Sequence, residues 1–226
     1  TGHLYIPAVG EPLLFIKRYL PRAVKEAPLK QIVGIESIKD IPELIADYYG
    51  SLPQVMGLEF DVLPVKNFNY IKTIFPVREF VDASPAIMRA RMIKSAWEIR
   101  QMENTAALSQ KIFNYAKETI RPGFTELEFA GMMETFARKH GHGAQLRIRD
   151  YQTDAFPGHI LSGKSGGMVG PMDTPASGKG TSAAFPGGPG NKLLAENEPI
   201  MIDFSTVMNG YHMDETRFFA IGSLPT

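Results

Sequence analysis

The sequence predicts an α/β protein with two domains, one over residues 1–82 and one over residues 95–226, joined by a linker at 83–94. Three observations lead to this prediction. In the first domain, short apolar runs alternate with helical patterns, as in small α/β domains. In the second domain, two helix-start signals precede long amphipathic segments. Near its end, Asn209-Gly210 separates two β-prone runs and indicates a hairpin.

The first domain contains three predicted strands and two predicted helices. The strand candidates are short apolar runs, which fit a partly buried sheet. One helix begins after Asp40, a typical N-cap residue, and has Pro42 in its first turn, where proline is tolerated. Pro76 ends the other helix. The predicted elements are strands at 11–16, 31–35 and 54–60 and helices at 40–49 and 66–75.

The second domain begins with two helices whose first turns carry capping boxes, Ser95-Ala-Trp-Glu98 and Thr125-Glu-Leu-Glu128. In this motif the hydroxyl accepts a hydrogen bond from the amide three residues on, and the acid reaches back. Apolar residues at helical spacing predict the buried stripes. The stripes are Ile99, Met102, Ala106, Phe113, Ala116 and Ile120, and then Phe129, Met132, Met133 and Phe136, with the second helix ending near His140-Gly141. A strand is expected at 144–149 and irregular chain at 151–198.

Two aspartates eleven residues apart, Asp203 and Asp214, flank the hairpin turn. A type I′ turn at Asn209-Gly210 has a two-residue loop, which sets Asp214 opposite Ser205. It also sets Asp203 opposite Thr216. Facing residues share a sheet face, as do residues two apart, so the aspartates are diagonal neighbours with Cα atoms roughly 7–8 Å apart. From there both can reach two cations roughly 3.5–4 Å apart, the spacing of two-metal hydrolase sites. A three-residue loop would break this register.

The residues by themselves leave two interpretations of these aspartates open. Most aspartates near strand ends are solvated or form Asx turns. Asp203, however, interrupts the apolar run 200–204, which we expect to be largely buried. A buried carboxylate must be paired, hydrogen-bonded or bound to a metal. Asp203 and Asp214 are therefore candidate metal ligands.

Composition excludes several classes of protein. The 226 residues include 24 basic and 24 acidic side chains, and no segment concentrates Lys or Arg, which argues against binding to nucleic acid or to an anionic membrane. Without cysteine, a metal must be bound by oxygen and imidazole ligands. No apolar run approaches the ~18 residues that span a bilayer. The default expectation is a cytoplasmic protein.

The hairpin resembles the metal-binding hairpin of the creatinase/aminopeptidase, or pita-bread, superfamily. Its Xaa-Pro peptidases carry Asp-x-Gly, then Gly-Tyr, then Asp-x-Thr-Arg. Asp203, Gly210-Tyr211 and the run Asp214-Glu-Thr-Arg217 stand at the matching spacing, with Ser205 in place of the first glycine. Segments 57–61 and 91–102 also resemble parts of the superfamily's amino-terminal domain and of the entry into its catalytic domain.

The resemblance implies a partial creatinase-type amino-terminal domain followed by the first half of a pita-bread catalytic domain. It implies a hydrolase that cleaves peptide substrates near proline through a metal-bridging hydroxide. Asp203 would bind one of two divalent ions and Asp214 would bridge both, with Mn²⁺ favoured and Co²⁺ or Zn²⁺ as alternatives. A homodimer is also expected. Because the family adds one His and two Glu downstream of this hairpin, we expect the chain to be part of a longer protein and to be inactive alone.

Two other functions stay open, namely a different reaction on the same fold, such as metal-free amidinohydrolysis or a lyase reaction, and a binding module without catalysis. In the resembled family the region that matches the Gly- and Pro-rich residues 162–191 carries Ser-Gly near its start, like Ser162-Gly163, and often a later Pro-His whose imidazole contacts substrate. Here Pro171 is followed by Met172, which weakens the expectation of proline-dipeptide specificity. His159 lies just before Ser162 and is a candidate for substrate contact, with a structural role as the alternative.

The segment Gly158-His-Ile-Leu-Ser-Gly-Lys-Ser165 matches the letters of a phosphate-binding P-loop. A P-loop also needs a preceding buried strand and a following helix that holds the phosphates. The residues upstream, 151–157, are too polar for such a strand. The residues downstream, 166–171, are too rich in Gly and Pro to begin a helix. We therefore reject a nucleotide site here.

The other histidines and the remaining hairpin side chains are assigned structural roles. His3 and His140 are expected at the surface or at a helix end, and His142 in a turn. His212 shares the face of the two aspartates but matches no ligand position of the resembled family. Tyr211 and Arg217 fall on the opposite face, where we expect aromatic packing and a salt bridge or hydrogen bond.

Overall fold

The computed structural model describes residues 2–149, 158–169 and 177–224. The chain forms two compact units, Thr1–Arg91 and Met92–Thr226. No helix in these described ranges is long and apolar enough to cross a membrane. The strands are β1 Gly2–Tyr5, β2 Leu13–Ile16, β3 Gln31–Gly34, β4 Val55–Leu58, β5 Glu79–Asp82, β6 Gly158–Ser162, β7 Pro199–Met208 and β8 Tyr211–Ala220. The α-helices are α1 Leu20–Glu26, α2 Ile41–Tyr49, α3 Val65–Ile74, α4 Ser84–Met92, α5 Ala96–Thr119 and α6 Glu126–Lys139.

The first unit contains two small sheets. In one, β2 pairs antiparallel with β1 and parallel with β3, and in the other β4 and β5 are parallel. Its core includes the fully buried side chains of Leu13, Phe15 and Ile45. All five predicted elements of this unit are present as β2, β3, α2, β4 and α3.

Asp40 does not cap α2 through its side chain. Its carboxylate instead accepts hydrogen bonds from the amides of Ser37 and Glu36, at 2.9 and 3.1 Å. It thereby closes the 3-10 helix Ile38–Asp40 that leads directly into α2. The prediction of Asp40 as the N-cap residue of α2 was correct, but the expected side-chain hydrogen bond to α2 is not formed. The Asp40 carboxylate is instead used by the 3-10 helix that precedes α2.

Most of the segment predicted as a linker, residues 83–94, is helical. Helix α4 follows β5, and the Ser84 amide donates a 2.9 Å hydrogen bond to the Asp82 carboxylate just before the helix. Pro85 occupies the first turn, where its missing amide hydrogen costs nothing. The domain boundaries themselves stay a prediction.

In the second unit, α5 and α6 pack against a three-stranded antiparallel sheet of order β6-β7-β8. Both predicted capping boxes are confirmed. The Ser95 amide donates to Glu98 at 2.7 Å, and the Glu98 amide donates to the Ser95 hydroxyl at 3.3 Å. In α6 the same pair of bonds joins Thr125 and Glu128, at 2.7 and 3.1 Å.

The predicted stripe is confirmed in α6 and only partly correct in α5. Phe129 and Met133 of α6 are fully buried, and Phe113 and Ala116 of α5 are buried as well. Ile99, however, is 47% exposed. The buried face of α5 passes instead through the polar Thr105 and Ser109 and the apolar Leu108 and Ile112. The first turns of α5 therefore contribute little apolar surface to the core.

Two predictions about the segment before the hairpin are wrong. Residues 144–149 form no strand, and Ala144 has a left-handed φ of 59°, which interrupts an extended conformation. Within 151–198, predicted as irregular, residues Gly158–Ser162 form β6 and pair antiparallel with β7. Strand β6 is short and carries the polar His159 beside apolar residues, so its sequence pattern alone does not indicate a strand. The pairing with β7 stabilises it.

Candidate metal centre

The hairpin has the predicted turn and register. Asn209 and Gly210 have φ values of 51° and 81°, as a type I′ turn requires. Asp203 lies opposite Thr216, and Asp214 lies opposite Ser205. The two aspartates therefore project from one face of the sheet, one row apart.

A hydroxyl group from the facing strand orients each carboxylate. The Thr216 hydroxyl donates a 2.9 Å hydrogen bond to Asp203 Oδ1. The Ser205 hydroxyl donates a 2.6 Å hydrogen bond to Asp214 Oδ1. In the described part of the chain, no hydrogen bond reaches the second oxygen of either carboxylate. Ser205, which replaces a glycine of the resembled pattern, thus supplies a partner for one of the two aspartates.

The expectation that Asp203 is buried is wrong. Alternation along β7 places Ile200, Ile202 and Phe204 in the core and turns Asp203 to the opposite face, where it is only partly buried. Asp214 is exposed. Burial therefore does not require a cation at these aspartates, and the case for metal depends on their shared face.

His159 lies beside this pair. It is the β6 residue opposite Asp203, so the two side chains share a sheet face, and His159 is 8% exposed. Burial lowers the pKa of the imidazole, while the negative charges of Asp203 and Asp214 act in the opposite direction. The neutral ring is therefore favoured by desolvation at the edge of a negatively charged surface.

The opposite face of the hairpin has the predicted structural contacts. Tyr211 packs edge-on against Trp97 with ring centroids 5.8 Å apart. Arg217 forms a 2.9 Å ion pair with Glu215 and stands 5.5 Å from the ring centre of Phe113. His212 is partly buried on the face of Asp214, two residues away along β8.

His140 ends α6 as expected, with Nδ1 2.8 Å from the Phe136 carbonyl oxygen. His142 follows Gly141, which has a left-handed φ of 100°, and is only 6% exposed. Its Nδ1 accepts a 3.0 Å hydrogen bond from the Val207 amide of β7. Burial lowers the pKa of His142, and the positive charge of Arg138 adds to this effect. The hydrogen bond and the depressed pKa both favour the neutral ring.

The P-loop-like segment binds a side chain of this protein. Its last residues form the 3-10 helix Gly163–Gly167 in place of an α-helix, which supports the rejection of a nucleotide site. Residues 151–157 and the pair Pro171-Met172 lie outside the described ranges. The amide and hydroxyl of Ser162 and the hydroxyl of Ser165 all donate to the carboxylate of Glu126, which is 1% exposed. No local pattern in the sequence marked this buried acid, since a glutamate in the first turn of a helix is ordinarily exposed.

Two of the described side chains have the chemistry that a metal site requires. Two carboxylates with uncommitted oxygens on one face suit oxygen-binding divalent ions. Within the described ranges, no group of three or more His, Asp or Glu side chains is close enough to hold an ion. Asp203 and Asp214 fit as two members of a larger ligand set.

Comparison with protein families identifies the chain. Residues 100–226 match the model of metallopeptidase family M24, and residues 1–93 match the creatinase/prolidase amino-terminal domain. The chain belongs to metallopeptidase family M24. This membership confirms the superfamily predicted from the hairpin.

Curated relatives are similar at low identity. An uncharacterized peptidase of Staphylococcus epidermidis is 27% identical over 221 residues, which are 97% of this chain and 55% of that protein. The Xaa-Pro dipeptidase of Lactobacillus helveticus is 28% identical over 198 residues, covering 85% of this chain and 47% of that protein. The chain thus spans about half the length of the relatives it matches.

Solved structures confirm the fold class. The Xaa-Pro dipeptidase from Bacillus anthracis has a TM-score of 0.78 at 23% identity, over 100% of this chain and 56% of that one. The prolidase from Pyrococcus horikoshii OT3 has a TM-score of 0.76 at 20% identity, over 99% of this chain and 55% of that one. At these identities the similarity establishes the α/β fold of the superfamily and no further property.

Proposed function

We propose that the whole protein is an Xaa-Pro peptidase-like metallohydrolase in which Asp203 and Asp214 bind two divalent metal ions. The observation that carries this proposal is the hairpin register, which brings the two carboxylates to one face, one row apart. Family membership supplies the reaction class, hydrolysis of a peptide bond. The similarity to an Xaa-Pro dipeptidase points to bonds next to proline.

Each aspartate has a separate role in this proposal. Asp203 would bind one ion and Asp214 would bridge both, using the oxygens that Thr216 and Ser205 leave available. The hydroxyl hydrogen bonds would hold the carboxylates in orientation, as outer partners of metal ligands do. Two divalent ions supply polarisation of the scissile carbonyl and activation of a water nucleophile. Oxygen ligands favour Mn²⁺, with Co²⁺ or Zn²⁺ as alternatives.

His159 is our candidate for substrate contact. It lies opposite Asp203 on the same sheet face, and its depressed pKa favours a neutral ring. A neutral imidazole can donate one hydrogen bond and accept another, which suits contact with a peptide group.

We expect the chain by itself to be inactive. The described residues supply two carboxylates at this site, whereas catalytic metal sites need several protein ligands and ordered partners around them. A homodimer and a cytoplasmic location stay predictions.

The test is the metal content of the whole protein, purified without chelators and measured by elemental analysis. We expect about two divalent ions per chain, as in two-metal hydrolases. Asp203→Asn and Asp214→Asn should each lower this number, because each removes a negative ligand. Glu103→Gln, which removes an exposed charge on α5, is the matched control and should keep both ions. A screen with Xaa-Pro peptides would follow.

Loss of ions must be separated from loss of fold. Circular dichroism and the midpoint of urea unfolding in the absence of metal should be similar in the two aspartate variants and in the control. Full metal content in both aspartate variants would refute the ligand assignment. No bound metal in the unmodified protein, and none taken up with Mn²⁺, would refute the metallohydrolase proposal and favour metal-free chemistry or partner binding.

A further inference from the structure

The carboxylate of Glu126 lies in a buried cradle made of hydrogen-bond donors. The Ser162 amide and hydroxyl donate to Oε1 at 2.8 and 3.0 Å, and the Ser165 hydroxyl donates to the same oxygen. The Gly190 amide donates to Oε2 at 3.1 Å. Ser162 is fully buried and Ser165 is 5% exposed. Four donors that converge on one buried group fit a carboxylate, which is acceptor-only when ionised.

Lys192 contacts this cradle indirectly, through the Ser162 hydroxyl. Lys192 donates a 2.9 Å hydrogen bond to the Ser162 hydroxyl and also pairs with Glu198. Because the Ser162 oxygen accepts from Lys192, its own proton is available to Glu126. The positive charge therefore supports the buried negative charge through a hydroxyl group.

The cradle joins three segments that are distant in sequence. Glu126 opens α6, Ser162 ends β6, and Gly190 lies in the segment that leads to β7. The amides of Glu126 and Leu127 donate back to the carbonyls of Lys192 and Gly190, at 2.9 and 3.1 Å. Ser162 lies opposite Ile200 in the last residue pair between β6 and β7. Hydrogen bonds that hold Ser162 therefore also hold the end of β6 beside β7.

We propose that residues 162–165 and Gly190 form a carboxylate-binding cradle whose resident ligand is Glu126, and that Glu126 is the positioning residue that holds the end of β6. The segment that matches the P-loop pattern thus binds the carboxylate of Glu126. The amide and hydroxyls that a phosphate would need are already committed to Glu126. This inference is independent of the proposed metal site, since none of its groups is a proposed ligand.

Three variants separate the roles of charge, shape and helix position. Glu126→Ala empties the cradle, and Glu126→Gln keeps one acceptor but turns an NH₂ group toward the Gly190 amide. Glu128→Ala is the matched control, because Glu128 lies in the same first turn of α6 but is exposed and bonds to Thr125 instead of the cradle. Any effect through the helix dipole is shared by the control.

Amide hydrogen exchange followed by NMR is the first measurement. In Glu126→Ala, protection of the Gly190 amide should fall by about tenfold or more relative to the control, as expected for a lost bond to a charged acceptor. Protection of the Ser162 amide should fall by less, because this amide also donates to the Ser165 hydroxyl at 2.9 Å. In Glu126→Gln, the Gly190 amide should lose protection to the same degree and the Ser162 amide should keep its protection. Equal loss at both amides in Glu126→Gln, or no selective loss in Glu126→Ala, would overturn the proposal.

Chemical rescue is the second measurement. Formate, a small carboxylate, should raise the urea midpoint of Glu126→Ala in a saturable way and by more than it raises those of the unmodified protein and Glu128→Ala. Inorganic phosphate should not bind the unmodified protein at this segment. If formate acts equally on all three proteins, the cradle does not select an anion and the proposal fails. If Glu126→Ala does not fold, the exchange pattern of Glu126→Gln decides alone.

Discussion

Two glycines with left-handed backbones provide a matched test of packing near the end of β6. Gly210 has a φ of 81° with open space where a Cβ atom would lie, whereas Gly163 has a φ of 50° and faces Glu198. A Cβ atom on Gly163 would overlap Glu198 Oε2 and lie 2.9 Å from its Cδ. Both glycine-to-alanine changes therefore strain the backbone, but only the change at Gly163 also displaces a side chain.

The expected costs follow from these contacts. Gly210→Ala should lower the free energy of unfolding by about 1–2 kcal/mol, the cost of a left-handed L-residue. Gly163→Ala should cost the same plus about 1 kcal/mol, because Glu198 must leave Lys192 and this pair is partly exposed. The exposed fractions of the two side chains are 32% for Lys192 and 21% for Glu198. The total for Gly163→Ala is about 2–3 kcal/mol.

Urea unfolding measures the free-energy change of both variants, provided that the dependence of the free energy of unfolding on urea concentration is the same in each protein. Glu198→Ala should make part of the Gly163→Ala cost disappear, because the displaced carboxylate is then gone, so the double variant should cost less than the sum of the single variants. The reasoning is refuted if Gly163→Ala costs no more than Gly210→Ala. It is also refuted if the effects of Gly163→Ala and Glu198→Ala are additive.

Two further predictions concern pH and helix capping. The pKa of His142 is lowered in the folded state, so its contribution to stability is full above the unfolded value of 6.5 and is lost as pH falls toward the folded value. His142→Gln should therefore flatten the pH dependence of the urea midpoint below pH 6.5 relative to the unmodified protein, and equal slopes in the two proteins would contradict this. Thr125→Ala should cost about 0.5–2 kcal/mol by removing an N-cap acceptor. Glu128→Ala should lower the free energy of unfolding by no more than Thr125→Ala does in the same urea assay. An unchanged free energy of unfolding in Thr125→Ala would contradict the capping role.

The features that were predictable from sequence depend on neighbours within a few residues. The register of the hairpin followed from Asn209-Gly210, because the turn type alone decides which residues face each other. The capping boxes at Ser95 and Thr125 followed for the same reason, since both partners lie within one helical turn. The shared face of Asp203 and Asp214 was thus available before any tertiary structure.

Predictions failed where partners are far apart in the chain. The sequence suggested that Asp203 is buried, but its exposure depends on which face of the sheet is covered, and α5 and α6 pack on the face opposite to Asp203. Strand β6 has too weak a pattern to stand alone and exists through its pairing with β7. The contact of the His142 ring with the amide of Val207, 65 residues away, was not predicted.

The hairpin, the shared face of its two aspartates and the family resemblance were all predictable from the amino-acid sequence, because each is specified by residues close together in the chain. The burial of Glu126 against the segment that resembles a P-loop became apparent only in the folded chain. Its hydrogen-bond partners Ser162 and Gly190 lie 36 and 64 residues away. Whether a first-turn glutamate is solvated or enclosed depends on which chain segments fold over it, and local residue patterns carry no information about that.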